Sequence, residues 1–326
     1  MPDNAPRPSD DIRLDRQERA ILDTTWCYYH EGLNQSEIAG KLGISRASVV
    51  NYLSEARKRG YIRISLDPGI FTEHELARRV ADTFGLKEVS IAPSSGADTA
   101  ARVAKMTADW LPHLLTKGDR LGVAWGETIF QVSEAASSQV IEDLEIVQLV
   151  GSRPASKGFA AEICSAMLAR QFGAHCVNLH VPLLLSDKEL AQRLLAEPVI
   201  VEQMAAVTNC NKTIFACGTC NEDSHILKTG LMNFEQLERY KKRGATGVIC
   251  GRLIDANGVH MPTPVEERMI GITLDKMKNK EMGLLVGSGR KRVDPMLAAI
   301  RGGYATHLAT CDDTARLLLK RANAQG

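Results

Sequence analysis

From residue 88 onward the sequence alternates short apolar, strand-like runs with helix-length stretches, and nothing else in the chain restricts the fold so strongly. The strand-like runs fall at 88–92, 120–124, 145–149, 174–181, 212–216, 246–251, 283–287 and 306–310, while 73–84 and 97–115 carry helical patterns. Parallel neighbours need a crossover long enough to hold a helix, so the alternation predicts an open, mostly parallel Rossmann-like α/β sheet covered by helices. Ligands of such sheets bind in the loops beyond the carboxyl ends of the strands. At about 150 residues per domain, the 326 residues divide into two units, or one large unit with a small appendage. Asp67-Pro68-Gly69 offers a natural boundary.

The segment before that boundary is helical. Helices are expected at 12–30, 35–42 and 46–59, with the Gly43-Ile44-Ser45 turn between the last two. Gly43 supplies the sharp turn and Ser45 can cap the next helix through its hydroxyl. Ile38, Leu42, Ile44, Val49 and Tyr52 form the apolar seam of two helices crossing steeply, with Ala39 small enough at the approach. The run 61–66 then alternates like a strand. Together these make a winged helix-turn-helix.

Charge agrees with that reading. The whole chain carries +1, yet 34–66 holds six basic and two acidic residues. A polyanion site must therefore be local, and this is where it lies. Ser45, Arg46, Ala47, Val50 and Asn51 start the third helix, the part that enters a major groove and meets base edges. Arg57, Lys58, Arg59 and Arg63 are placed to meet phosphates of double-stranded operator DNA. The competing readings are a small helical subdomain with a solvated basic end and a protein-binding winged helix.

Apolar residues at 44% and charged residues at 24% exclude wholesale disorder and a fibrous repeat. No apolar run approaches the roughly 18 residues a membrane span needs, and the start lacks the basic and apolar regions of a signal peptide. A soluble cytoplasmic protein without a membrane partner is expected. Its eight cysteines are scattered and read as reduced thiols. Cys217-Gly218-Thr219-Cys220 has a redox or half-zinc spacing, but no second pair stands at a matching distance, so neither a metal nor a cofactor is expected.

Two strand-end loops suit an anion. The first, Gly122-Val123-Ala124-Trp125-Gly126-Glu127-Thr128, leads into a helix and exposes backbone amides and a hydroxyl at its start. The second, Gly287-Ser288-Gly289-Arg290-Lys291-Arg292, adds three cations to another strand-glycine-helix junction. Either glycine loop alone also reads as a tight turn. The polar loop 151–158, with Arg153, can close over a ligand or simply lie on the surface. Asp255 is a hydroxyl acceptor or part of a turn, and Arg268 a ligand contact or a salt bridge.

In order along the chain, LNQSEIAGKLGISRASVVNYLSEARKRGYIRISL, GVAWGETI, IVQLVGS, ATGVICGRLIDANG, RMIGITL and VGSGRKRVDPMLAAIRGGYATHLATCDDTARLL resemble the SorC/DeoR-type bacterial sugar-responsive transcriptional regulators. The resemblance implies a regulator of a carbohydrate-catabolism operon, with an effector domain similar in fold to sugar-phosphate isomerases that binds a sugar or sugar phosphate as a signal. By position, Gly126, Thr128, Gly289 and Arg292 would hold the phosphate, with Arg292 where the family commonly has Lys. Gly218 belongs to a segment that is Gly-Ile-Gly in the family and Ala216-Cys217-Gly218 here. Val248 stands in place of an Asp, which removes a hydroxyl acceptor, and Asn51 stands where Arg is frequent.

The resulting organisation is a disordered tail at 1–10, a winged helix-turn-helix at 11–66 and an effector and oligomerisation domain at 67–326. A homodimer or homotetramer is expected because helix-turn-helix proteins read paired half-sites. The alternative is a sugar-phosphate isomerase-like enzyme fused to a helix-turn-helix, since the same fold supports catalysis. Acid–base chemistry needs a positioned pair, and these loops offer Glu127 without an obvious histidine.

Overall fold

A computed structural model of the protein describes residues 16–62, 75–94, 98–152 and 160–323. The expected tail, Arg63 with most of the expected wing, and Arg153 with most of its loop lie outside the described residues. The chain divides into two units, Met1–Ser65 and Leu66–Gly326.

In the first unit, α1 (Arg16–Tyr29), α2 (Gln35–Leu42) and α3 (Arg46–Lys58) follow from their caps. The Asn34 side-chain oxygen accepts from the N–H groups of Ser36 and Glu37 at 2.9 and 3.1 Å, and the Glu37 carboxylate accepts from the Asn34 N–H at 2.8 Å. This capping box satisfies donors that a helix start leaves open. Gly43, at φ 65°, ends α2 in the left-handed region, and the Ser45 hydroxyl accepts from the Ser48 N–H at 3.0 Å to start α3. Cys27, Ile38, Val49 and Leu53 are buried together, with Leu33, Ala39, Leu42 and Ile44 packed around them. The seam differs from expectation at one place. Leu53, four residues after Val49, shares its helical face and takes the interior, whereas Tyr52 turns partly outward.

The first described element of the second unit is the helix Glu75–Phe84. Its strands are β1 (Glu88–Ala92), β2 (Arg120–Val123), β3 (Glu145–Gln148), β4 (His175–Val177), β5 (Lys212–Phe215), β6 (Gly218–Thr219), β7 (Ala245–Ile249), β8 (Arg252–Asp255), β9 (His260–Met261), β10 (Met282–Val286) and β11 (His307–Cys311). Seven form one parallel sheet in the order β1-β11-β10-β5-β2-β3-β4. Side chains alternate between its faces. Leu121, Val123, Ile146, Ile214 and Leu284 pack with helices Thr99–Trp110, Glu127–Ala135 and Ala161–Phe172, while Leu149, Phe215, Leu285 and Leu308 pack with helices Glu75–Phe84, Val293–Arg301 and Asp312–Asn323. This is the fully covered sheet that the near-continuous apolar strands require.

The run at 246–251 departs from the expected parallel sheet. It lies largely in β7, which pairs antiparallel with β6 and β8 in a separate sheet ordered β6-β7-β8-β9. Ile249 pairs with Arg252, so Cys250 and Gly251 form a two-residue hairpin loop with φ 49° and 80°. Both positive values match the turn whose twist suits a tight hairpin. The run 174–181 keeps only His175–Val177 as regular strand.

In the parallel sheet the chain passes from β2 outward to β3 and β4, then returns to β5 and continues on the other side to β10 and β11. The direction of winding therefore reverses between neighbouring β2 and β5. A doubly wound sheet opens a crevice at the carboxyl ends of the strands at such a point.

Candidate functional site

That crevice is a cleft of about 490 Å³. Trp125, Gly126, Glu127 and Thr128 enter it from the end of β2, Ala216 to Thr219 from β5, and Ser288 to Arg292 from β10. The excursion holding Asp223 to Ile226, Lys228 and Leu231 supplies another wall, with Val248, Cys250 and Gly251 from the β7–β8 hairpin.

Gly126, at φ 119°, begins the helix Glu127–Ala135 without a side-chain cap. No side-chain cap therefore takes the first-turn N–H groups, which form the positive end of the helix dipole. Arg292 Nη1 donates to Thr128 Oγ1 at 2.6 Å, so two loops far apart in the chain meet at this helix start. Lys291 pairs with Asp223 at 2.9 Å, with both side chains largely in solvent. The Gly289 N–H is already used, donating to Thr314 Oγ1 at 2.8 Å. Gly289 thus shapes the loop through its φ of 99°, leaving contact with an anion to its neighbours.

The inner wall is different in character. Ala216, Cys217, Ile226, Leu231, Val248 and Cys250 line it, and burial pushes the thiols of Cys217 and Cys250 up to about 12. They are neutral at physiological pH and behave as small apolar groups. Trp125 meets the His225 ring edge-on, with centroids 4.9 Å apart and planes at 75°. Among the described residues no group of three or more His, Cys, Asp or Glu is placed to hold a metal ion.

Of the ligand residues expected from sequence, Trp125, Gly126, Glu127, Thr128, Gly218, Gly289, Arg290, Lys291 and Arg292 line the cleft. Four others have different surroundings. Gly122 lies within β2, where a Cβ would come within 2.5 Å of Leu149 Cδ2, so glycine here lets the sheet face close. Gly287 is buried against Met296. The Asp255 carboxylate accepts from the N–H groups of Asn257 and Val259 at 2.9 and 2.8 Å and holds a turn. Arg268 Nη1 donates to the carbonyls of Leu185 and Ser186 at 3.1 and 3.0 Å. Conversely, Asp223, His225 and Lys228 line the cleft but were not expected there. Their only sequence signal is their position after β5, at a strand end facing the switch point.

On α3, Arg46, Ala47, Val50 and Asn51 are exposed, while Val49, Leu53 and Ala56 are buried. Val50 is 46% exposed, an apolar group suited to a thymine methyl. Ser45 serves as the cap of this helix, and Arg46 Nε donates to Gln35 Oε1 at 3.4 Å. Arg57 donates to the Tyr29 hydroxyl at 3.1 and 3.0 Å, Lys58 pairs with Glu55 at 3.0 Å, and Arg59 pairs with Glu18 and Glu55. Surface pairs of this kind are worth little, so these cations are not committed to their partners.

Comparison with known proteins agrees with both halves. The Sugar-bind family of sugar-binding domains matches residues 69–320. The uncharacterized transcriptional regulator YjhU of Escherichia coli (strain K12) is 33% identical over 307 residues, covering 92% of this chain and 94% of that protein. The deoxyribonucleoside regulator of Bacillus subtilis (strain 168) is 26% identical over 312 residues, covering 94% and 99%. The full-length sorbitol operon regulator SorC from Klebsiella pneumoniae has the same fold, with a TM-score of 0.77 at 22% identity over 95% of this chain and 99% of that one. A helical reading unit ahead of a sugar-binding domain, with relatives matched along nearly their whole length, places the chain in the SorC/DeoR-type family of sugar-responsive, DNA-binding transcriptional regulators.

Proposed function

We propose that this regulator reads its operator with Arg46, Ala47, Val50 and Asn51, and that a phosphorylated sugar in the cleft controls it without being converted. The operator belongs to a carbohydrate-catabolism operon. The observation that carries the effector reading is the 2.6 Å hydrogen bond from Arg292 to Thr128. It sets a guanidinium beside an uncapped helix start, two groups that favour the same phosphate oxygens.

The sugar ring then reaches the inner wall. Val248, Ile226 and Leu231 favour its carbon–hydrogen face, and Trp125 offers an aromatic edge or face to the same surface. Hydroxyls are left to Asp223, His225 and Thr219 at the rim. Binding without turnover is supported by the protonated state of both cleft thiols, which leaves no ready thiolate nucleophile there. His225 joins Glu127 in the lining, a histidine the loops were not expected to offer, so turnover is decided by assay.

A thermal-shift panel of sugars and their phosphates tests the reading. At about 100 Kd a true effector adds roughly 2.7 kcal/mol. Phosphorylated members should stabilise the wild type and lose that effect in Thr128→Ala and Arg292→Ala. Stabilisation by free sugars alone, undiminished in both variants, would show that these loops are structural turns. Incubation with a stabilising sugar phosphate should return it unchanged, and an isomerised product would establish an enzyme.

A further inference from the structure

The hydrogen bond that fixes Gly289 leads out of the cleft. Its acceptor Thr314 is 1% exposed, sits in the first turn of the helix Asp312–Asn323, and places the same hydroxyl 3.1 Å from Cys311 Sγ. Gly289 holds a φ of 99°, a conformation that persists where neighbours hold it. The turn of Arg290, Lys291 and Arg292 is thereby tied at its preceding residue to the start of this helix. The same helix start also holds the loop after β1. The Ser94 N–H donates to the Asp312 carboxylate at 2.7 Å, and the Asp313 N–H donates to Ser94 Oγ at 3.2 Å.

Further along, Ala315, Leu318 and Leu319 enter the same buried cluster as Leu76, Ala77 and Val80 of the helix Glu75–Phe84, against which this helix packs. Helix Glu75–Phe84 is the first described element after residue 62. Covalently, it follows the connection from the DNA-reading unit.

We infer that Thr314 is the positioning residue that couples an anion in the cleft to helix Glu75–Phe84, through its hydrogen bond to Gly289 and the packing of helix Asp312–Asn323. The inference rests on the phosphate reading above. An anion held by the Arg290–Arg292 turn restrains that turn, and the Gly289–Thr314 bond passes the restraint to a helix. Close-packed helices shift as units rather than deform. Without the hydroxyl the anion still binds, but its influence stops at the loop.

Hydrogen exchange on the full-length protein, with and without saturating inorganic phosphate, tests this. In the wild type, phosphate should slow exchange at 127–130, in the first turn of helix Asp312–Asn323 and in helix Glu75–Phe84. Thr314→Val and Thr314→Ala both delete the hydroxyl, so whichever folds serves. Each should keep the slowing at 127–130 and lose it in both helices, and Thr314→Ser should restore it. Slowing in helix Glu75–Phe84 that survives loss of the hydroxyl, or its absence in wild type while 127–130 is protected, would overturn the role of Thr314. No slowing at 127–130 in the wild type would instead overturn the anion site, and this inference with it.

Discussion

Arg46 and Asn51 differ in kind from Arg57, although all three are exposed on α3. The first two lie in the half of the helix proposed to read the groove, and a bidentate base contact is worth about 1–3 kcal/mol. Arg46→Ala and Asn51→Ala should each weaken specific operator binding by that amount in a mobility-shift titration. Arg57→Ala should weaken binding to every sequence and flatten its salt dependence. Wild-type affinity in both of the first two variants would remove α3 from base reading. At the other end of the large sheet, His307 is 6% exposed, and burial, with Lys87 and Lys212 nearby, lowers it from 6.5 to about 4. The unfolded chain then binds the proton more readily, so His307 contributes stability above pH 6.5 that is lost as the pH falls toward 4. Denaturant titrations from pH 7 to 4.5 should show the decline in wild type and a shallower one in His307→Gln, and equal slopes would refute it. Single residues were also where sequence said least about the cleft. The cations and glycines at 287–292 announce an anion loop, but Asp255 and Arg268 look equally apt until their backbone partners are seen. Those of Arg268 lie more than 80 residues earlier in the chain.

Elements were readable in proportion to how local their causes are. The helix-turn-helix is written in adjacent residues, with Asn34 and Glu37 for the box, Gly43 for the left-handed stop and Ser45 for the next cap. The parallel strands were readable because burial on both faces leaves continuous apolar runs. The small antiparallel sheet was missed because its signal, Cys250-Gly251, sits inside an apolar run, where an Asn-Gly or Asp-Gly turn would have stood out. Cys250 accepts φ 49° without the side-chain hydrogen bonding that eases Asn into that region. The same locality gives a prediction. Asn34→Ala removes the acceptor for two N–H groups and should destabilise the reading unit by about 1 kcal/mol, seen as faster exchange at 35–42. Unchanged exchange there would mean that packing of Ile38 alone holds α2.

At the scale of the whole molecule, a single helix-turn-helix gains little affinity or specificity from one half-site, and paired half-sites lie one DNA turn apart. The protein should therefore be a homodimer or homotetramer, and light scattering at micromolar concentration that shows only monomer, with and without DNA, would contradict this. Control by the effector is a coupling free energy, so a ligand can change operator affinity only by its different affinity for the two arrangements, and DNA must change ligand affinity by the same factor. The direct measurement is a fluorescence-anisotropy titration of operator DNA with wild type and Arg292→Ala, each with and without the sugar phosphate that stabilises the wild type. The wild-type Kd should shift by about 5–150-fold, the range of 1–3 kcal/mol of coupling. Arg292→Ala should match the wild type in the absence of ligand and show no shift in its presence. A variant that binds operator normally and still responds fully to the sugar phosphate would contradict control through the Thr128–Arg292 clamp.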